Sequence, residues 1–269
     1  MEGSGRGGVE AGVRPPADAW ASSGSGGDLG ADNLLGLALR SHGGLERWAQ
    51  FSRFTASASI TGDIWRMKGV AGLLDDVVLE GEIRDQRMII TPYPKSGQYS
   101  TWEPLRQTIE TARGVVLHER LHPAASFIGQ VRQTPWDDFH AAYFASEANW
   151  NYFVAPFIFA RGDFLAEEIG PWREHGEEWR RLLVTYPEGI VAHCRQQTYY
   201  FDDGGLLRRL DYSVDILGGG PAVHYPSEYR EFDGIMVPTR RMVYVRNPDG
   251  SPQLDSVSIA IEVGDVSFS

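Results

Sequence analysis

The chain has 269 residues, 42% of them apolar, with eight Trp, eleven Tyr and a formal charge of −11. That is enough apolar material for a sizeable core, while the acidic balance excludes nucleic acid or an anionic membrane surface as the main partner, because phosphate recognition needs a basic footprint. The lone cysteine, Cys194, excludes an intrachain disulfide and a cysteine-built zinc site, and no run approaches the roughly 18 apolar residues of a transmembrane helix.

The first thirty residues are rich in Gly, Ser and Pro and lack the apolar stretch of a secretory signal. They are expected to form a disordered arm, 1–30, on a cytoplasmic protein. Ordered structure is expected as one domain over 31–269. It opens with a helix capped by Asp32, with Leu34, Leu35, Ala38 and Leu39 on one apolar face. Gly43 and Gly44 interrupt that helix before Leu45–Trp48 resume it.

From Arg53 the period changes to two. The run from Phe54 to Met67 reads as one long alternating strand, and short strands follow between Val77 and Arg120. Their links, such as Tyr93-Pro94-Lys95-Ser96-Gly97, have hairpin length and are too short for parallel crossovers.

The longest apolar-aromatic segment, Thr134 to Ala160, then reads as helix. Thr134 is placed to cap it, Pro135 sits at the first helical position, and Asp137 and Asp138 lie in the first turn, where they suit the helix dipole. Trp136, His140, Tyr143 and Phe144 fall at helical spacing, as do Trp150, Phe153 and Val154, and Pro156 ends the run. A helix this aromatic must be covered nearly all round, and a curved sheet is the cover that fits.

Strands resume at Phe164–Ile169, Glu178–Tyr186 and Ile190–Phe201, and Asp202-Asp203-Gly204-Gly205 makes a hairpin turn. Four further strands follow, one from Leu206 and then Ala222–Phe232, Ile235–Arg246 and Asp255–Phe268. The fold class is mainly β: a single-domain antiparallel curved sheet or half-open β-barrel of roughly ten or eleven strands. An N-terminal helix and the central aromatic helix plug its concave face.

The opening Ala38-Leu-Arg-Ser-His-Gly-Gly-Leu-Glu-Arg-Trp, the strand reaching Thr61-Gly62, the meander with one helical interruption, and the closing Phe201-Asp-Asp-Gly-Gly-Leu-Leu-Arg-Arg-Leu and Tyr229-Arg-Glu-Phe-Asp-Gly-Ile-Met-Val-Pro-Thr resemble the LolA/LolB lipoprotein-carrier fold and its relatives. The resemblance covers nearly everything after Asp32. It implies a strongly curved half-barrel whose concave side, plugged by helices, takes an apolar ligand. The lipobox cysteine of the carriers is absent.

No G-x-S-x-G, Walker loop, H-E-x-x-H or dinucleotide fingerprint is present, and neither a cofactor nor a metal site is expected. The best local constellation is His140 with Asp137, three apart on one helical face, where a carboxylate beside an imidazole suits acid-base work. Both residues also fit a plain helix-end role. Trp136, Tyr143, Phe144, Trp150 and Phe153, with Trp65 and Tyr225, are candidate ligand-binding residues and equally candidate core.

Two functions compete on this sequence. One is binding of a hydrophobic small molecule, acyl, polyketide or isoprenoid-like, between the central helix and the concave sheet. The other is a cofactor-independent cyclase, isomerase or hydrolase on a lipophilic substrate in the same place, with His140 and Asp137 as acid and base. A protein-interaction scaffold with a filled core is a third, weaker alternative.

Overall fold

The computed structural model describes residues 33–269; the arm expected over 1–30 and the cap expected at Asp32 lie outside the described residues. The elements are helices α1 (Leu34–Ser41), α2 (Leu45–Trp48), α3 (Asp63–Met67) and α4 (Asp138–Val154), with strands β1 (Arg53–Thr61), β2 (Val77–Glu82), β3 (Met88–Thr91), β4 (Gln98–Glu103), β5 (Arg106–Thr111) and β6 (Val116–Leu121) before α4. After it come β7 (Leu165–Glu174), β8 (Glu177–Thr185), β9 (Gln196–Phe201), β10 (Leu207–Val214), β11 (Gly220–Phe232), β12 (Ile235–Val245) and β13 (Ile259–Phe268).

All the strands join one antiparallel, thirteen-stranded sheet in the order β6-β5-β4-β3-β2-β1-β13-β12-β11-β10-β9-β8-β7. The chain therefore runs outward from the middle to one edge, crosses to the opposite edge through α4, and runs back inward. The circuit closes where β13 pairs with β1, Phe54 opposite Phe268. Laid flat, such a sheet would hold its edges about 58 Å apart at the usual strand spacing, against a length of about 25 Å for α4. A sheet curled around the crossing helix resolves the difference.

The curved antiparallel sheet with N-terminal and central helices on its concave face is thus as expected, but three details are corrected. The sheet is not closed into a barrel: β6 and β7 remain its two edges and do not pair, because the segment between them forms the crossing helix and not a closing strand pair. The strand count is thirteen, above the ten or eleven expected; pieces such as β3, four residues long, pair with both neighbours. The run Phe54–Met67 is not one strand, since β1 stops at Thr61 and Asp63–Met67 turns into α3. Gly62 makes that corner with φ 125°, and a Cβ there would meet the Ser258 carbonyl oxygen at 2.5 Å, so only glycine fits.

Helix α4 also starts later than its Thr-Pro signal suggests, with Asp137 as its cap and the Asp137 side chain accepting from the His140 N–H. From Ala141 to Val154 every residue is buried. Its aromatic side chains reach the sheet directly: Phe153 stacks on Phe54 at 4.3 Å between centroids, and the Trp150 indole N–H donates to the Glu82 carbonyl at 2.7 Å. On the N-terminal side, Trp48 stacks on Phe157 just beyond α4, also at 4.3 Å. In α1 the cap is Asn33, whose side chain accepts from Gly36 N–H.

The Phe54–Phe153 stack needs Gly81 beneath it. A Cβ on Gly81 would stand 2.2 Å from Phe54 Cζ and 2.7 Å from Met88 Sδ. Gly81→Ala is therefore expected to lower the unfolding free energy in a urea titration by about 1–3 kcal/mol, the usual cost of overpacking.

Candidate functional site

The sequence-predicted residues separate into three places. Asp137 and His140 do come together, with Nδ1 2.7 Å from Oδ1, but as the cap of α4. Arg120 grips the same carboxylate with both terminal nitrogens, at 3.2 and 2.5 Å. His140 Nε2 lies 2.9 Å from Gln130 Nε2 and 3.3 Å from the Ser126 carbonyl, and its ring packs on Phe127 at 4.8 Å. Partial burial raises the Asp137 carboxyl, but hydrogen bonds from His140 and Arg120 outweigh it and hold the group well below the ordinary carboxylate range.

Trp136, Trp65, Phe144 and Tyr143 form a continuous aromatic cluster with Phe127 and Trp102, while Trp150 and Phe153 dock on the sheet as described. Tyr225 is elsewhere. It lies on the sheet face opposite to its neighbour His224, where its hydroxyl donates to Glu174 at 2.6 Å beside the Arg209–Asp211 pair.

A cavity of about 290 Å³ opens between α3, the middle of α4 and strands β10 to β13. Ile64, Phe144, Val214, Ala222, Val243 and Ile259 form its apolar walls, and Asp63, Arg132 and Asp255 stand among its polar lining. Of the predicted ligand-binding residues, Phe144 lines it. Tyr212 of β10 reaches it from beneath and begins a buried polar chain.

The Tyr212 and Tyr152 hydroxyls are 3.0 Å apart, Tyr152 is 3.1 Å from His193 Nε2, and His193 Nδ1 is 2.8 Å from Glu147 Oε2. Glu147 and Tyr152 come from α4, His193 from the loop before β9, and Tyr212 from β10. The His193 ring lies stacked on Tyr212 at 4.6 Å. Burial pushes the Tyr152 and Tyr212 phenols far up, so both stay protonated, with Glu147 adding to the effect. The proton on His193 then sets the direction of the chain. A neutral ring accepts from Tyr152 at Nε2, and a protonated ring donates there, which turns the Tyr212 O–H outward.

His224 sits one pleat from Ala222 on the same face, fully buried, with neither ring nitrogen hydrogen-bonded and its ring against Tyr152 at 4.6 Å. Burial holds its imidazole well below the usual histidine value, and Arg241 and His193 push the same way. Arg241, two residues before Val243 on β12, is 4% exposed and donates to the Tyr152 carbonyl at 3.2 Å.

None of Glu147, His193, Tyr212 and Arg241 entered the site predicted from sequence. Glu147 carried a signal, being a carboxylate in the middle of a helix with no polar face. His193 was masked by reading Ile190–Phe201 as one strand, whereas β9 begins at Gln196 and the preceding loop dips inward, fixed by Gln86 and Asn151 on Val191. Arg241 belongs to an Arg-Arg pair on a strand, and alternation alone requires one member of the pair to point inward.

No family model matches the chain. Over 105 residues, 39% of the chain, it is 29% identical to vacuolar protein sorting/targeting protein 10 of Arthroderma gypseum, and the match spans 6% of that protein's length. Among solved structures it is similar to a DUF1329 family protein from Desulfovibrio piger, at 12% identity and a TM-score of 0.49, covering 88% of this chain and 92% of that one. It is also similar to a LolA superfamily protein from Nitrosomonas europaea, at 11% identity and a TM-score of 0.48, covering 86% and 92%. A third similar chain, named for an outer membrane lipoprotein-sorting protein domain, comes from Vibrio parahaemolyticus, with 9% identity, a TM-score of 0.47 and coverage of 88% and 94%. The likeness is one of fold alone. The cytoplasmic location expected from the sequence is withdrawn, since none of these comparisons supports it and one similar chain is named for outer membrane lipoprotein sorting. Among the described residues no helix is long and apolar enough to cross a membrane, which by itself says nothing of compartment.

Two predictions follow from the electrostatics. Asp137→Ala removes the α4 cap and the Arg120 partner together and should cost about 1–2 kcal/mol in chemical denaturation, with Asp137→Asn costing less. The second concerns His42, whose Nδ1 lies 2.8 Å from the Ala38 carbonyl at the end of α1. Burial lowers its imidazole from 6.5 to about 4, against the hydrogen bond to Ala38 and with help from Arg241. Below pH 6.5 the unfolded chain takes up a proton that the folded protein refuses until about pH 4. Stability should therefore decline across that interval, by up to about 3 kcal/mol from this group. Melting curves of His42→Gln should decline less than wild type over the same range.

Proposed function

We propose that the protein binds a small lipophilic molecule, such as an acyl chain, a polyketide or an isoprenoid, in the cavity between α3, the middle of α4 and strands β10 to β13. The observation that supports this most is the cavity itself, about 290 Å³ with mainly aliphatic and aromatic walls. Its volume lies at the lower end of small-molecule sites. Burying an apolar ligand there contributes about 25 cal/mol per Å² of surface removed from water, so the site needs little polar chemistry to hold it. The polar residues at its edge leave an approach from solvent, with Met67 and Pro221 exposed beside it.

The enzymatic alternative assigned acid and base roles to His140 and Asp137. Those residues are engaged in the α4 cap, and neither is among the cavity's lining residues. Binding without turnover is therefore the reading favoured here. Titration with a fluorescent fatty acid is expected to show saturable uptake by wild type. Ala222→Phe, which fills the cavity from its wall, should weaken uptake by about tenfold or more, while His140→Ala should leave it unchanged. No uptake by wild type, or equal uptake by Ala222→Phe, would contradict the proposal.

A further inference from the structure

Buried arginines elsewhere in this protein have carboxylate partners. Arg209, fully buried on the other face of the sheet, pairs with Asp211 and Glu174 at 2.7 and 2.5 Å, and Arg161 pairs with Asp163 at 2.7 Å. Arg241 has no such partner among the described residues. Its guanidinium makes one hydrogen bond, to the Tyr152 carbonyl at 3.2 Å, and rests over the Tyr152 ring at 5.1 Å. The buried carboxylate on the same side, Glu147, is engaged with His193. A cation taken out of water without a counter-ion is costly, and proteins usually offset that cost with a paired charge or a bound anion.

His224 adds a second unmet demand. It is fully buried, and neither ring nitrogen has a partner. Val243 pairs with His224 across β11 and β12, and Arg241 follows two residues away on the same face. Consecutive same-face residues on a strand are about 7 Å apart, within the reach of an arginine side chain. Ala222 and Val243 line the cavity, and the register places His224 and then Arg241 next along the same face, behind that wall. A separate small void of about 20 Å³ is bordered by Arg241, Tyr152, His42 and Tyr229. It is enough for one small polar group.

We propose that Arg241 and His224 form an oxyanion subsite at the inner end of the cavity, so that the ligand is an amphiphile whose carboxylate head lodges there while its apolar part fills the cavity. This rests on the binding function proposed above and narrows it to lipophilic acids. The carboxylate supplies the counter-ion that Arg241 lacks and accepts from His224. Its negative charge also opposes the desolvation that keeps His224 neutral, so binding brings His224 toward its charged, two-donor form.

The test compares decanoate with methyl decanoate, alike in chain and different in charge, by calorimetric titration of the full chain. Wild type should bind the acid at least about tenfold more tightly than the ester. Arg241→Met, close in volume, should lose that preference while keeping ester affinity, and His224→Phe should reduce it. Ligand-free Arg241→Met should melt above wild type, because it removes an uncompensated buried charge. That expectation is independent of any ligand, and a melting point below wild type would assign Arg241 a structural role and overturn the proposal. Equal binding of acid and ester by wild type overturns the subsite and leaves the cavity reading standing. Binding of neither compound removes the cavity reading and the subsite with it. An equal rise in melting temperature with acetate and with decanoate would make the occupant a free small anion and overturn the head-group assignment.

Discussion

An α-helix without a polar face has to be enclosed on every side, and α4 sets that requirement for the whole molecule. It is buried from Ala141 to Val154 and is the long helix of the segment that joins the two edges of the sheet. Topology and solvation make the same demand. The connection has to cross the face, and the crossing segment has to be covered, so the sheet curls around it. The two halves of the chain then meet in the middle, where β1 pairs with β13. The open edges at β6 and β7 follow directly, since the helix occupies the route a closing strand would take.

The same enclosure explains the polar interior. A helix buried all round that carries Glu147, Asn149 and Asn151 must find partners for them inside, while the buried Ser146 hydroxyl makes no hydrogen bond. Asn149 and Asn151 return to carbonyls one turn back, at 2.8 Å each. Glu147 cannot be satisfied that way, and the loop before β9 supplies His193 to meet it. Tyr152 and Tyr212 extend the chain to the edge of the cavity. The core is thus apolar at both ends of α4 and polar beneath its second half. The empty volume lies beside that polar centre.

Much of this architecture was legible from local pattern. The interrupted N-terminal helix, the hairpin signals, the aromatic helix and its end before Pro156 all rest on short-range rules. So does the inference that the helix must lie against a concave sheet. What local pattern could not supply is closure and inward direction. Whether β6 and β7 pair depends on residues far apart in sequence, and the alternation at Arg240–Arg241 shows that one arginine must turn inward without showing which. The His140–Asp137 pair was visible because it is local, three residues apart on one helix. The Glu147–His193–Tyr152–Tyr212 chain was not, because it draws on a helix, a loop and a strand. His193 in particular looked like part of a strand until the inward path of its loop was seen.

Native mass spectrometry of the protein purified from its own host, recorded before and after denaturation, tests the central claim most directly. A lipophilic mass bound to the native protein and released on denaturation, and missing from Ala222→Phe prepared alongside, is the result expected of a protein that carries a ligand in this cavity. A bare mass for wild type that stays bare after incubation with fatty acids would contradict it, and would leave the cavity as a packing feature of the curled sheet.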